Sequence, residues 1–109
     1  IYLETGPNPS DREQFIVCTA TKNTWHQFVL HFVHDHGSNG LIEVWHDNKK
    51  VITHHGGNMY DDVLPKWKIG IYKAAFKFGT SSRTRRVVYF DNIRVGNSSA
   101  TYESMRPDR

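Results

Sequence analysis

Residues 41–55 read LIEVWHDNKKVITHH, and this stretch decides the fold class. Two runs rich in β-branched and aromatic residues, LIEVWHD at 41–47 and VITHH at 51–55, are separated by the polar residues NKK. Such runs joined by a tight connection are typical of neighbouring antiparallel strands. Just upstream, WHQFVLHFVHD at 25–35 has the same character and no helix cap before it. The three runs together predict an antiparallel meander.

Alternation along residues 25–35 sorts the side chains of the first run onto two faces of a sheet. One face carries aromatic, aliphatic and imidazole groups: His26, Phe28, Leu30, Phe32 and His34. The other face mixes valines with polar groups: Gln27, Val29, His31 and Val33. Gln27 and His31 on the second face suit contacts in a groove, and a half-buried structural histidine is an equal alternative.

Short apolar runs separated by turns continue along the rest of the chain. Further strands are predicted at residues 14–20, 66–76 and 86–95. Residues 1–13 are turn-rich and predict an irregular entry segment, whereas residues 97–109 predict a polar tail. About six short strands with no convincing helix predict one all-β sandwich domain over the whole chain.

Length and composition narrow the class of protein further. The chain has 109 residues, of which 38% are hydrophobic, and 14 Lys and Arg exceed 11 Asp and Glu, for a net charge of +3. A basic surface suits anionic partners such as polysaccharide or nucleic acid. No apolar run is long enough to span a bilayer. The start IYLETGP lacks Met, which predicts a processed or truncated start, and Asn97 opens an N-glycosylation acceptor that fits a secreted protein.

Cysteine and histidine leave alternatives open. Cys18 is the only cysteine, so no disulfide forms within the sequence, and it suits either a small buried hydrophobe or a partner outside the chain. Two close histidine pairs, His34 with His36 and His54 with His55, have spacings that suit a metal, but no third ligand is specified. Solvated turn histidines are the simpler interpretation.

The stretch PKWKIGIYK at residues 65–73 has an unusual row on one of its two predicted faces. One face is an ordinary core face with Trp67, Ile69 and Ile71. The opposite row combines two ammonium groups, a glycine and a phenol: Lys66, Lys68, Gly70 and Tyr72. Such a row suits the floor of a groove for an anionic ligand, or a charged strand edge that discourages aggregation.

Four blocks in order carry a resemblance to a known family: WHQFVLHFVH, SNGLIEVWHDNKKV, KWKIGIYK and RRVVYFDNIRVG. Over residues 25–96 the chain resembles the C-terminal half of the heparin-lyase-like polysaccharide lyases, which include the glucuronan lyases of polysaccharide lyase family 20. The most specific element is Lys-x-Gly-x-Tyr, here Lys68, Gly70 and Tyr72. The resemblance implies a concanavalin-like β-jelly roll of which this chain is the C-terminal half. The upstream arginine-bearing and Gln-x-His strands of that family have no counterpart here, so a removed segment or a separate chain is expected to supply them.

The resemblance also implies a chemistry and roles for the motif residues. Tyr72 corresponds to the catalytic acid and base, with Lys68 beside it. Breaking a uronate chain by β-elimination requires neutralising the carboxylate next to C5, a base for the C5 proton and an acid for O4. Because Lys68 lies roughly 13 Å from Tyr72 along a strand, it is expected to serve the substrate carboxylate instead of the phenol. Gly70 leaves space for a sugar ring.

Other residues are candidates for binding a polymer around that motif. Substrate contacts are expected from Lys66, His31, Gln27, Asn58 and Arg83. Tyr60 could join Asn58 in a subsite wall, and Arg85 and Arg86 could join Arg83, although a solvated basic loop explains them equally well. Trp45 and Trp67 are expected in the core.

The sequence thus predicts an extracellular lyase acting on a glucuronan-like polymer. The alternative is a noncatalytic carbohydrate-binding module of the same fold. An anionic polysaccharide is the expected partner, with an upstream half of the enzyme as a possible second chain, and neither nucleic acid nor a membrane is expected. No cofactor is required for the chemistry, but Asp91 is a candidate ligand for a structural calcium ion, since jelly rolls of this type often carry one.

Overall fold

The computed structural model describes residues 1–72, 77, 79 and 82–107. Within these ranges five strands form two antiparallel sheets. The strands are β1 (Tyr2–Asn8), β2 (Asp11–Ile16), β3 (Phe28–Val33), β4 (Leu41–His46) and β5 (Lys49–His55), and one short helix, α1 (Tyr102–Met105), follows near the end of the described part. Among the described residues, no helix is long and apolar enough to cross a membrane.

The first sheet is a hairpin of β1 and β2, where the sequence suggested an irregular segment over residues 1–13. Tyr2 pairs with Ile16 and Glu4 with Gln14, so β2 provides hydrogen-bond partners for the backbone of β1. The tight turn is closed by Asn8, whose Oδ1 accepts hydrogen bonds from Ser10 N at 3.0 Å and Ser10 Oγ at 2.7 Å. Pro7 and Pro9 argued against a strand at the sequence level. The strand tolerates Pro7 because the pairing is irregular between Thr5 and Asn8.

The second sheet is the predicted meander, with the order β3-β4-β5. Phe28 pairs with His46 and Val33 with Leu41, and β5 returns alongside β4. The connection from β4 to β5 turns at Asp47 and Asn48, which have φ angles of +48° and +68°. Positive φ at both central residues is the signature of a hairpin turn whose twist matches its strands. The prediction of an antiparallel meander is confirmed.

The core lies where the two sheets face each other. Ile42, Val44 and Ile52 are 2%, 1% and 8% exposed. The residues packed against this centre come from both sheets and the segment after β2: Leu3, Phe15, Val17 and Phe32. Apolar side chains of β3, β4 and β5 therefore meet those of the β1–β2 hairpin across the interior. The predicted all-β sandwich class is confirmed.

The strands predicted at residues 66–76 and 86–95 differ from the structure. None of the described residues in 65–72 or 82–95 belongs to a strand, and residues 73–76 lie outside the described part. The predicted core face is open to solvent, with Trp67 60%, Ile69 51% and Ile71 49% exposed. An alternating segment forms a strand only when another strand accepts its backbone hydrogen bonds, and the described residues supply none here.

The predicted polar tail contains α1, a single turn of helix. Thr101 caps it, because its side chain accepts a hydrogen bond from Ser104 N while Ser104 Oγ accepts one from Thr101 N at 2.9 Å. Tyr102 packs back on the second sheet, with its ring stacked on Trp45 at a centroid distance of 4.8 Å. The tail is thereby attached to the sandwich.

Candidate functional site

The predicted row at Lys66, Lys68, Gly70 and Tyr72 lies outside both sheets. Tyr72 is 88% exposed, and both lysines are exposed. Gly70 has a φ of +154°, and a Cβ built on it would meet no atom of the described part of the chain within 4 Å. Among the described residues, none fills the space beside Gly70, and the Lys66, Lys68 and Tyr72 side chains are exposed.

A second polar surface is formed by the outward side of β3, β4 and β5. We define this polar face by His31, Glu43, Trp45, Lys50 and Thr53. It exists because strand alternation turns Ile42 and Val44 into the core and turns Glu43 and Trp45 the other way. His31, Glu43 and Thr53 are direct cross-strand neighbours.

Glu43 is the electrostatic centre of the polar face. Its Oε2 pairs with the Lys50 ammonium, and its Oε1 is 2.9 Å from His31 Nδ1. Hydrogen bonds from Lys50 and then from His31 favour the carboxylate and hold the pKa of Glu43 below its ordinary value. The group is thus a fixed acceptor flanked by donors, an arrangement suited to sugar hydroxyls and carboxylates.

Trp45 lies on the polar face and not in the core, contrary to expectation. One pair of neighbours covers its ring: Tyr102 stacks on it, and Lys50 Nζ lies 5.0 Å from the ring centroid. The one-residue bulge between Val44 and Trp45 in the pairing with β5 sets Trp45 opposite Lys50. Local alternation already assigned Trp45 and Val44 to opposite faces, so this signal was present in the sequence.

Two predicted substrate-binding residues have roles within the fold. Asn58 Oδ1 accepts a hydrogen bond from Asp35 N at 3.0 Å, and Asn58 Nδ2 donates one to Val33 O at 2.9 Å. The side chain thus ties the loop after β5 to the end of β3. Gln27 donates its backbone N–H to Asp47 Oδ1 at 3.0 Å, which orients the start of β3. Substrate contacts by either side chain stay predictions.

Arg83 and Asp91 lie in the exposed part of the chain beyond the sheets. Asp91 Oδ1 accepts a hydrogen bond from Asn92 N at 2.8 Å. Calcium needs six to eight oxygen ligands. Among the described residues, no cluster of three or more potential metal-binding side chains includes Asp91. A calcium-binding role for Asp91 stays a prediction.

The histidine pairs weighed on sequence spacing have other contacts. His36 Nδ1 is 2.8 Å from Met59 O, and His54 Nε2 is 2.8 Å from Glu13 Oε2. Instead, the fold brings Cys18, His26 and His46 together, and their potential ligand atoms all lie within 4.8 Å of one another. Sequence spacing could not reveal this group, because His46 reaches it only through the register of β3 and β4.

Comparison with known proteins places the chain in a family. A family model described as polysaccharide lyase matches residues 5–94. No curated protein and no solved structure matches the chain significantly. The matched region covers β1 from residue 5 onward, all of β2 to β5 with the polar face, and the Lys68, Gly70 and Tyr72 motif. Since the match covers most of the sequence, this chain belongs to the polysaccharide lyase family.

Proposed function

We propose that the protein cleaves a uronate-containing anionic polysaccharide by β-elimination, with Tyr72 as acid and base. The observation that carries the proposal is the family match, which includes the Lys68, Gly70 and Tyr72 motif. Within the family, the resemblance to heparin-lyase-like enzymes favours a glucuronan-like polymer as substrate. The basic composition of the chain supports an anionic partner.

The elimination conserves atoms and needs no water. Tyr72, as phenolate, takes the proton from C5 of the uronate. The electron pair of that C–H bond forms the double bond between C4 and C5, and the bond from C4 to the glycosidic oxygen breaks. The phenol proton then passes to the leaving oxygen, which returns Tyr72 to phenolate. One side chain serves both steps when the proton and leaving group lie on the same side of the ring.

A cation must oppose the charge that develops beside the uronate carboxylate. Lys68 is the proposed partner of that carboxylate, and the open space at Gly70 lets the sugar ring approach the backbone. Lys66 and Arg83 are proposed to hold carboxylates of neighbouring sugar units. The exposure of Tyr72, Lys66 and Lys68 supports this proposal, because a polymer requires an open site.

The polar face is proposed as the surface along which the polymer lies. His31 is half exposed beside Glu43, so its ring can donate to a sugar hydroxyl while the carboxylate keeps it oriented. Gln27 and Asn58 are proposed at either end of this surface. A polymeric substrate of this kind also supports an extracellular location.

The test is the ultraviolet absorbance of the unsaturated uronate product. The protein is mixed with glucuronan, alginate and a heparin-like polymer in parallel, and product formation is followed with time. We expect product on glucuronan, loss of turnover in Tyr72→Phe with retained polymer binding, and near-normal turnover in Tyr89→Phe. Tyr89 is the matched control because it is 77% exposed outside the motif.

Three outcomes would contradict the proposal in different ways. Product from Tyr72→Phe at the wild-type rate would remove Tyr72 from the chemistry. Product on alginate alone would overturn the glucuronan assignment. Binding without product on any polymer, from protein that is folded by circular dichroism, would favour a noncatalytic carbohydrate-binding module.

A further inference from the structure

The strongest unassigned group of side chains lies at one end of the second sheet. Cys18 belongs to the segment after β2, His26 precedes β3, and His46 ends β4. All three are partly buried, and the Cys18 sulfur and one nitrogen from each ring lie within 4.8 Å of one another. The connection between β2 and β3 and the end of β4 thus direct one sulfur and two nitrogens at a common point.

The two rings are already arranged as a pair of ligands. His26 Nδ1 and His46 Nε2 are 2.9 Å apart, and the rings stack with centroids 5.2 Å apart. Two nitrogens bound to one tetrahedral zinc ion at about 2.05 Å each would be separated by about 3.3 Å. A shift of a few tenths of an ångström, with release of the proton that the hydrogen bond holds, would therefore make the two nitrogens ligands of one ion.

Contacts with neighbouring side chains orient the His26 and His46 rings as metal ligands. Thr21 Oγ1 is 2.9 Å from His26 Nε2, so when that nitrogen donates to the hydroxyl, the lone pair of Nδ1 points at His46. Phe28 stacks on His46 at 5.2 Å and limits its rotation. Such outer partners set the tautomer and direction of histidine ligands in metal sites.

A carboxylate adds charge at the same point. Asp47 Oδ2 is 3.1 Å from His46 Nε2, and Asp47 Oδ1 is held by Gln27 N at 3.0 Å. A thiolate and a carboxylate together balance the charge of a divalent cation. Sulfur and imidazole donors select zinc over calcium or magnesium, which prefer oxygen.

We propose that Cys18, His26 and His46 bind a zinc ion, with Asp47 beside it. The ion would connect the segment leaving the β1–β2 hairpin to the β3–β4 end of the other sheet. Its role is therefore structural, as a link between the two layers of the sandwich. The proposal is independent of Tyr72 and of the elimination chemistry.

The first experiment titrates metal-free protein with Co²⁺ and with Zn²⁺. We expect one equivalent of Co²⁺ to produce a thiolate-to-cobalt charge-transfer absorption, which Zn²⁺ then displaces. Cys18→Ser should abolish that absorption. Loss of a residue that only hydrogen-bonds a metal ligand typically lowers metal affinity about 10–100-fold. His46→Gln removes a ligand itself, so it should lower Zn²⁺ affinity by a larger factor. His55→Gln, an exposed histidine of β5, is the matched control and should bind normally.

A second measurement uses unmutated protein and so does not depend on the folding of variants. Cys18 is the only thiol, and one equivalent of Zn²⁺ should slow its alkylation while Ca²⁺ and Mg²⁺ leave the rate unchanged. A cobalt complex with no sulfur absorption, or a Cys18 alkylation rate that Zn²⁺ does not change, would overturn the proposal. Equal loss of zinc binding in His55→Gln and His46→Gln would also overturn it, since that pattern indicates adventitious surface binding.

Discussion

Residues 41–55 and residues 66–72 have similar patterns and different structures. Both alternate apolar with polar side chains, and both include a tryptophan and two isoleucines. In the first region Ile42 and Ile52 are 2% and 8% exposed, whereas in the second Ile69 and Ile71 are 51% and 49% exposed. The alternating pattern is therefore not what separates a buried strand from an exposed segment.

The difference lies in the neighbours of each region. The tight turn at Asp47 and Asn48 sets β5 beside β4, and a short loop brings β3 to the other edge. Each strand of this meander finds its hydrogen-bond partner a few residues away, at small cost in loop-closure entropy. The segment at residues 66–72 has no partner strand among the described residues, so its apolar side gains no burial.

The largest expected effect is on the core of the first region. Ile42→Ala removes a nearly fully buried side chain and should lower the free energy of unfolding by about 2–5 kcal/mol. Ile69→Ala makes the same change at a half-exposed position and should stay within about 0.5 kcal/mol. Urea denaturation of the two variants measures both values. Equal losses would mean that Ile69 is buried in solution and that the contrast between the regions is wrong.

A smaller effect is expected where two backbone segments meet in the first region. A Cβ on Gly40 would overlap the carbonyl oxygen of Gly56 and lie 3.0 Å from Asn58 Nδ2. Gly40→Ala should therefore cost about 1–3 kcal/mol, because the end of β5 must move.

Thermal unfolding provides the measurement, at about 4–8 °C per kcal/mol for a domain near this size. Gly79→Ala is the control, since a Cβ added at Gly79 would meet no atom of the described residues within 4 Å and the melting temperature should hardly change. An unchanged melting temperature for Gly40→Ala would show that the approach of the two segments is looser than the structure indicates.

The smallest effect concerns pH and the polar face. Contacts with Lys50 and His31 lower the pKa of Glu43, so its contribution to stability is present above the pKa of an unfolded glutamate. That contribution is lost as the pH falls through the lower, folded-state pKa, where the carboxylate becomes protonated. Glu43→Gln should thus be less stable than the wild type by up to about 1 kcal/mol near neutral pH, and the gap should close in acid.

Urea denaturation across this pH range measures the gap between the two proteins. Glu103→Gln removes an exposed carboxylate that pairs with Arg106 outside the sheets, and it should produce a smaller gap. A difference between wild type and Glu43→Gln that does not vary with pH would contradict the electrostatic explanation.

Several features of the fold follow from local chemistry and were predictable. The runs at residues 25–35 and 41–55 predicted the meander, because alternation and tight turns act over a few residues. The same alternation placed Phe32 and His31 on opposite sides of β3, and in the structure Phe32 packs against the core while His31 contacts Glu43. The hairpin at residues 2–16 was only half predicted, since the prolines and polar residues of β1 conceal a strand that its partner stabilises.

Some features of the candidate site were also predictable from the sequence, and others were not. The Lys68, Gly70 and Tyr72 motif was evident as a pattern of residue types, and the family match includes it. The packing of Trp45 against Tyr102 was not evident, because the two residues are far apart in sequence. Neither was the approach of Cys18 and His26 to His46, which depends on the register that sets the start of β3 beside the end of β4.

By itself the sequence determined the all-β class, the meander and its turn, the basic charge and the pattern of Lys68, Gly70 and Tyr72. These depend on side-chain type, period-two alternation and turn chemistry, all of which act locally. Only the tertiary structure decided which alternating segments are buried, which polar groups surround Glu43, and which cysteine and histidines meet. Those outcomes depend on strand register and sheet packing, where the free energy comes from partners that no local window of sequence contains.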